Sequence, residues 1–459
     1  MAPSPDQERP WDFYAVALFA AAAFIHALQW PLMPRFLDIW YHVAVMKGFA
    51  AAGGYLTHAN WEFAPVGRPH LYPPLVHGLL LLPYRLGLGE AACARLMELA
   101  LWPAFLSALW ASLRRMAGAR TAFFALLVAS SSYSFYLAVS TYPAFTLALG
   151  FTLLAIAFSS WLWLAAAFYT HTQMAWMGAA AFVMHGLLSG RHGASWREAG
   201  FAALAALPLH AHQLIHAGSF RFLDVRENWR LEIDAGVYAL AAWGLFTRRS
   251  KTRTAALCLL VAMLPMAFTH RARFFGGHGM LPFILLAAGW MDTKRSFLAG
   301  WLFLWAIASP VLFLQWNPPR VSVSVPDRTW THAVLPRTVP ARRELENTVY
   351  FGGPYRDLAR LVKKYSADGG IVWSDLPYAG GIVAMLADRP TSTAMMAEVA
   401  PSRPMDPMAE AAVWVWFKDP ARDLRPAMEE AASRYGRRFA AETDYACLFI
   451  PDPSRRAAP

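Results

Sequence analysis

Apolar residues in this chain come in blocks, and many of the blocks approach the length needed to cross a lipid bilayer. From about residue 11 to 314, runs of Ala, Leu, Phe and Trp recur between short polar breaks, and an ordinary polar mixture follows to the end. A helix needs roughly 20 apolar residues to cross the hydrocarbon layer, because each residue rises about 1.5 Å and every backbone amide must be satisfied within the segment. Such runs, several of them short, fall at 12–32, 92–113, 119–138, 143–159, 161–170, 172–189, 198–215, 235–247, 253–269, 279–292 and 297–314. They predict a mainly α fold, a polytopic membrane helical bundle of about eleven transmembrane helices over residues 1–314. With 57% hydrophobic and 15% charged residues, an ordinary soluble enzyme is excluded. The first run follows a single basic residue, Arg9, and is long for a signal peptide, so it reads as an uncleaved span.

One apolar run is different. Residues 73–88 open with Pro73-Pro74 and close with Gly87-Leu88-Gly89, which predicts a re-entrant or interfacial segment. The net charge of +11 sits largely in short loops between apolar runs, which points to a bilayer and away from nucleic acid. With the N-terminus in the cytoplasm, the segments around Arg9, Arg114/Arg115/Arg120, Arg191/Arg197, Arg248–Arg253 and Lys294/Arg295 all fall inside, as basic loops should. The same alternation places the loop at 33–91, the loops at 209–234 and 269–279, and the tail outside a multi-pass plasma membrane protein. Cys93, Cys258 and Cys447 are scattered without CxxC spacing, so neither a disulfide framework nor a cysteine zinc site follows.

The tail, 315–459, reads as an extracytoplasmic α/β domain. Helical patterns at 355–364, 380–386 and 424–435 alternate with strand patterns at 369–375, 413–417 and 445–450, an order that favours a mainly parallel sheet. Asp375, at a strand end, either binds a ligand or caps the next segment.

The first outer loop carries the densest chemistry. Residues 36–77 read FLDIWYHVAVMKGFAAAGGYLTHANWEFAPVGRPHLYPPLVH, rich in Asp, His, Arg, Tyr and Pro beside a chain otherwise built for lipid. Asp38 and His42 share one face of a helix. Asp38, the DIWYH run and the GRPHLYPPLVH run together resemble the loop after the first span in the GT-C class of integral membrane glycosyltransferases. That class includes polyprenyl-phosphate-sugar mannosyltransferases, the lipid A aminoarabinose transferase and the catalytic subunit of oligosaccharyltransferase. The resemblance covers about 12–115 most specifically; the later spans and the outer soluble domain agree more loosely.

The resemblance implies sugar transfer from a polyprenyl-phosphate donor to a glycan, lipid or protein acceptor, with inversion. Such chemistry needs a group that takes the acceptor's proton and cations that steady the leaving phosphate. Asp38 corresponds to the family's base or metal ligand; otherwise it caps the helix that starts there. His42 binds metal with Asp38, positions an acceptor, or merely stacks beside Trp40 and Tyr41. Arg68 and His70 are candidates to grip phosphate, Tyr72 to shape the sugar pocket, and Arg271 or Arg273 to hold the lipid phosphate from a late outer loop; snorkelling to headgroups is the alternative for the arginines. His210, His212 and His216 in HAHQLIH form a transition-metal site or an interfacial cluster, and His171 could dip into the cavity.

There is one departure from the family. The loop AVSTYPAF (138–145) lacks the second acidic residue many members carry, so a single-base arrangement with no required cofactor fits better, unless Glu62, Glu227 or a divalent metal completes the site. Two rivals remain: a transporter or flippase of a lipid-linked substrate, disfavoured by the absence of an inverted repeat and the few charges within spans, and a catalytically silent scaffold of the same fold.

Overall fold

The computed structural model describes residues 5–30, 33–34, 38–220, 229–246, 250–294, 298, 300, 311–317, 320–324, 353–395, 399–419 and 424–455. Helix α1 (Pro5–Ala27) leads to the loop region, which holds α2 (Asp38–Ala51), strands β1 (His58–Ala59) and β2 (Arg68–Pro69), and α3 (Leu75–Arg85). The 28-residue α4 (Glu90–Ala117) follows, then α5 (Ala119–Ser131), α6 (Tyr133–Thr141), α7 (Pro143–Phe158), α8 (Trp161–Phe168) and α9 (Thr172–Leu188). Next come α10 (His192–Ala205), α11 (Leu207–Ile215), β3 (Trp229–Asp234), α12 (Ala235–Gly244), α13 (Lys251–Met263), α14 (Met266–Thr269), α15 (Arg271–Gly276) and α16 (Leu281–Asp292).

Local chemistry explains where these helices break. Gly118, at φ 99°, separates α4 from α5 with a backbone conformation that side chains with a Cβ avoid. Ser132 caps α6 by accepting from the Phe135 amide, and α5 and α6 meet at 91°. Pro143 and Pro208 fall in the first turns of α7 and α11, and Pro265 separates α13 from α14. Runs that read as continuous at 119–138, 198–215 and 253–269 are therefore each two helices.

Among the described residues only two helices are long and apolar enough to cross a bilayer alone, Glu8–Ala27 and Glu90–Ala117, or three if the bent pair at 119–141 counts as one span. The expected count of about eleven is not reached by this measure, because most other apolar runs fold as helices of 8–17 residues. Most of the run at 297–314 lies outside the described residues, and its last residues belong to β4 (Val311–Asn317), which crosses the boundary expected at 314/315. Strand β4 pairs antiparallel with β3 and with β5 (Arg320–Ser324), a three-stranded sheet that sequence patterning did not signal.

The bundle core runs through α4, α5, α7, α9, α12, α13 and α16. Its outer surface displays Phe13, Phe24, Trp196, Phe246 and Phe268, all more than half exposed, as a face in lipid requires. This is a membrane protein. Helix α3, at 11 residues, spans about 16 Å, about half the hydrocarbon thickness, within the segment 73–88.

The tail holds helices Gly353–Tyr365, Pro377–Leu386 and Arg425–Arg434 on a four-stranded sheet. Its strands are β6 (Val372–Ser374), β7 (Val413–Phe417), β8 (Arg437–Glu442) and β9 (Ala446–Pro451), in the order β6-β7-β9-β8. The expectation of a mainly parallel sheet is corrected: only β6 and β7 are parallel, while β9 runs antiparallel to both neighbours. The three residues between β8 and β9 allow a hairpin but no crossover. Strand β8, with its partly exposed RRFAAE pattern, carried no clear strand signal.

The tail docks on the first loop. The Ala64 amide donates to the Thr391 carbonyl and the Thr391 amide to the Trp61 carbonyl, both at 2.9 Å. Ile382, Met385 and Met395 pack with Ile39, Val43 and Met46 of α2. Trp61 lies so close to α2 that a Cβ at Gly48 would come within 2.2 Å of its ring, which only glycine avoids. The loop and the tail thus occupy the same side of the bundle.

Candidate active site

Asp38 opens α2, where unpaired helix N–H groups favour a carboxylate. Its Oδ2 lies 3.4 Å from His42 Nε2 one turn on, longer than a well-formed hydrogen bond, with the Asp side chain 13% exposed and the His fully buried. On its other side His42 Nδ1 meets Nε2 of His77, from α3, at 2.9 Å.

Burial holds the His77 imidazole well below its usual range, with His42 and His70 pressing the same way. A neutral His77 has one N–H, and one proton must lie between the two rings. If His77 Nε2 carries it, His42 Nδ1 accepts and the remaining His42 N–H faces Asp38. The alternative points a lone pair at a carboxylate. Electrostatics therefore select the arrangement in which His77 orients His42 and His42 presents a donor to Asp38.

Aromatic and basic groups close the site. The Tyr72 ring stands edge-on to His42 at 5.1 Å and to His171 at 6.1 Å. His171 caps α9, its Nδ1 accepting from the Met174 amide. Burial, then the charge of Arg273, lowers His171 to about 4, while Asp38 pulls the other way; the imidazole thus feels the carboxylate and the guanidinium together. Arg273, on the short α15, lies over the Tyr142 ring at 4.5 Å. His278 bonds Thr146 Oγ1 at 2.9 Å and packs at a 39° tilt on Phe145, which also touches His171. Asp38, His42, Tyr72 and His171 thus come together from α2, the loop before α3 and the α8–α9 turn, and Phe145, His278 and Tyr142 link them to Arg273 on α15.

Three of the expected site residues are placed differently. Arg68 is 1% exposed and its donors are engaged: Nε reaches Glu62 Oε2 at 2.7 Å, one terminal nitrogen meets the same carboxylate and the Tyr41 hydroxyl, and the other meets the Pro69 carbonyl. Assigning it to phosphate is corrected by this buried pair. His70 sits in a second layer, its ring among Phe49, Tyr55, Trp61 and His77, and burial pushes it down to about 3, with Arg68, His212 and His42 acting the same way. Arg271 is two residues before Arg273, about 200° around the helix, so the two cannot face the same point.

The HAHQLIH motif is a clamp. His212 Nε2 bonds the His70 carbonyl at 3.1 Å, Gln213 bonds the Leu71 carbonyl at 2.9 Å, and His210 packs on Trp176 and Phe168. Asp375 accepts from the Phe417 amide at the end of the neighbouring strand β7, and the next helix, Pro377–Leu386, has no side-chain cap. Glu62 is occupied by Arg68 and the Met395 amide, and Glu227 lies outside the described residues. Among the described residues no group of three or more His, Cys, Asp or Glu side chains is arranged to hold a metal, and Tyr142 and Phe145 stand in the loop where a second acid would be needed.

Sequence reasoning gave no role to His77, Tyr142 or His278. Only their neighbourhood signalled them: His77 closes the PHLYPPLVH run and His278 follows a Gly-Gly pair. Asp234 was also missed; it is 7% exposed at the end of β3 and accepts from the Ser132 hydroxyl.

No family model matches the chain, and no curated protein matches it. Solved structures do. ArnT from Cupriavidus metallidurans in the apo state is 14% identical, covers 97% of this chain and 99% of its own, and superposes with a TM-score of 0.61. The same protein bound to undecaprenyl phosphate gives 0.60 at 14% identity and the same coverage. The oligosaccharyltransferase of Archaeoglobus fulgidus in complex with Zn and sulfate is 12% identical, covers 94% of this chain and 73% of its own, and gives 0.56. Both are GT-C glycosyltransferases, and at these identities the likeness establishes the fold: this chain has the GT-C fold along nearly its whole length. The donor set described above does not fit a metal site with two or more carboxylates.

Proposed function

We propose that this protein is an inverting membrane glycosyltransferase that takes a sugar from a polyprenyl-phosphate donor to an acceptor on the outer face of the plasma membrane. The observation that carries the reading is one carboxylate, Asp38, beside His42, with Tyr72 and His171 against them, in a chain with the GT-C fold. The tail packs on the same helix α2 that carries Asp38, which supports an extracytoplasmic site and a cytoplasmic N-terminus.

In the proposed step the acceptor O–H gives its proton to Asp38 as its oxygen forms a bond to the anomeric carbon. The bond from that carbon to the phosphate oxygen breaks, and its electron pair leaves with the polyprenyl phosphate. One displacement inverts the anomeric centre. Arg273 stands where the departing phosphate gains charge, and cations there stabilise the transition state more than the ground state. Tyr72 and His171 supply the aromatic wall against which a sugar ring packs. The undecaprenyl phosphate bound by ArnT supports a lipid phosphate as the donor's carrier. No step is assigned to a metal.

The deciding experiment measures transfer from radiolabelled polyprenyl-phosphate sugars by the purified protein in lipid nanodiscs. Asp38→Asn keeps size and polarity but cannot accept the proton, so turnover should fall by about 10²–10⁴. Turnover within a few-fold of the parent returns Asp38 to helix capping.

A further inference from the structure

A second pocket lies away from the Asp38 site. About 490 Å³ of space opens between the membrane bundle and the tail, walled by Trp30 just past α1, Gly89 and Glu90 at the start of α4, and Arg95 one turn later. The opposite wall is the tail helix Gly353–Tyr365, which contributes Arg356, Arg360 and Lys363. Those three are spaced four and three residues apart, so they form one stripe on the helix, while Leu358 and Val362 on the other face are buried in the tail core.

Charge is unbalanced here. The lining and its direct partners hold Lys47, Arg95, Arg356, Arg360 and Lys363 against Glu90, Asp357 and Asp388. The excess is two positive charges, and Arg356 has no carboxylate partner among the described residues. Glu90 and Asp388 are both held by Lys47, with Lys363 also on Asp388, while Arg360 shares only the exposed Asp357 one turn away and Arg95 gives its Nε to the Met33 carbonyl, so Arg356 and the remaining guanidinium donors of Arg360 and Arg95 face the pocket without a carboxylate of the bundle.

Position selects the ligand. Two helices long enough to cross the bilayer have ends here, α1 just before Trp30 and α4 at Glu90, so the pocket sits at headgroup depth. Leu82 and Leu86, on the segment that leads into Gly89 of the pocket, are 65% and 75% exposed, apolar surface for acyl chains. We infer that this pocket binds the phosphate of an anionic lipid headgroup, a site separate from the proposed donor site and tying the tail helix to the membrane surface. Arginine forks suit a phosphate oxygen pair, and basic clusters just outside a span attract anionic lipid.

The test compares the full-length protein in nanodiscs of phosphatidylcholine alone and of phosphatidylcholine with phosphatidylglycerol. Phosphatidylglycerol should raise the thermal midpoint of the parent by about 2–4 °C. Arg356→Ala with Arg360→Ala should abolish that rise and leave the midpoint in phosphatidylcholine unchanged, since both side chains are exposed. Arg403→Ala with Arg438→Ala, an equal charge loss at exposed tail positions, should keep it. Native mass spectrometry of detergent-released protein should show one fewer retained phosphatidylglycerol in the first double variant. No rise in the parent, or the same rise in both double variants, overturns the site. A rise reproduced by inorganic phosphate in phosphatidylcholine alone overturns the lipid as its source.

Discussion

Glu62→Gln should loosen the tail from the first loop, because it breaks an ion pair sealed from water. Glu62 and Arg68 are 0% and 1% exposed, and Arg68 Nε lies 2.7 Å from the carboxylate. The second carboxylate oxygen accepts from the Met395 amide at 2.9 Å, 333 residues away in the chain. A glutamine has one acceptor oxygen, so its NH₂ must face either the guanidinium or the Met395 N–H, donor against donor. Removing one member of a buried pair typically costs about 3–5 kcal/mol, and the residual oxygen bond puts this variant near the lower end, about 3 kcal/mol. At about 1.4 kcal/mol per decade, local opening should become roughly 10²-fold more frequent. Hydrogen exchange at the Met395 amide, read by mass spectrometry on peptides covering 391–395, reports that opening directly. Arg68→Met should loosen the same peptides, and the double variant should cost less than the sum of the two, because the orphaned charge is gone. Exchange at Met395 unchanged in Glu62→Gln would refute the argument. Arg68→Lys that leaves exchange intact but abolishes transfer would return Arg68 to the donor phosphate.

Other outcomes follow from the site. His77→Leu should lower kcat about tenfold with KM for the donor unchanged, and His77→Gln, whose amide can donate to His42 Nδ1, should recover most of it; equal loss in both would mean that His77 only packs. Arg273→Lys should lower turnover although charge is kept, and Arg273→Ala should raise the barrier by about 2–4 kcal/mol; normal turnover with Lys would place the donor phosphate elsewhere. Stability should decline in acid. His70 and His171 are held at about 3 and about 4 against 6.5 in the unfolded chain, so below about 6.5 the unfolded state binds more protons. Their stabilising contribution is complete above pH 6.5 and is lost as pH falls towards 4 and then 3, by up to about 1.4 kcal/mol per pH unit for each histidine. Thermal midpoints that stay level between pH 7 and 5 would contradict that burial.

Several features of the fold were legible because they are local. Proline pairs and glycines marked the ends of 73–88, and α3, Leu75–Arg85, is a short helix between them. The amphipathic pattern at 355–364 and the apolar VWVWF run have the periods of a helix and a strand, and both formed. The number of bilayer-length helices was not legible, since a serine or a proline divides an apolar run without changing its hydropathy. Nor was the direction of the tail sheet, because β6 and β7 alternate with helices whereas the β8–β9 hairpin adds an antiparallel edge whose outer strand has no apolar signature.

The sequence by itself determined that this chain lives in a membrane, that the loop after its first apolar run concentrates reactive side chains, and that Asp38 and His42 share a helix face. Period, breakers and composition act within a few residues, so those properties can be read from a single segment. Tertiary structure alone decided which partners those side chains have. Arg68 and His70 looked alike as polar residues before a Pro-Pro turn, yet one is neutralised by Glu62 and the other is buried among aromatic rings. His77 gained an orienting position through a contact 35 residues distant, and Tyr72 and Phe145 met at His171 from separate parts of the chain. Charge and hydrogen-bonding capacity belong to residues, but pKa, availability and role belong to neighbours, and neighbours are set by how the helices pack.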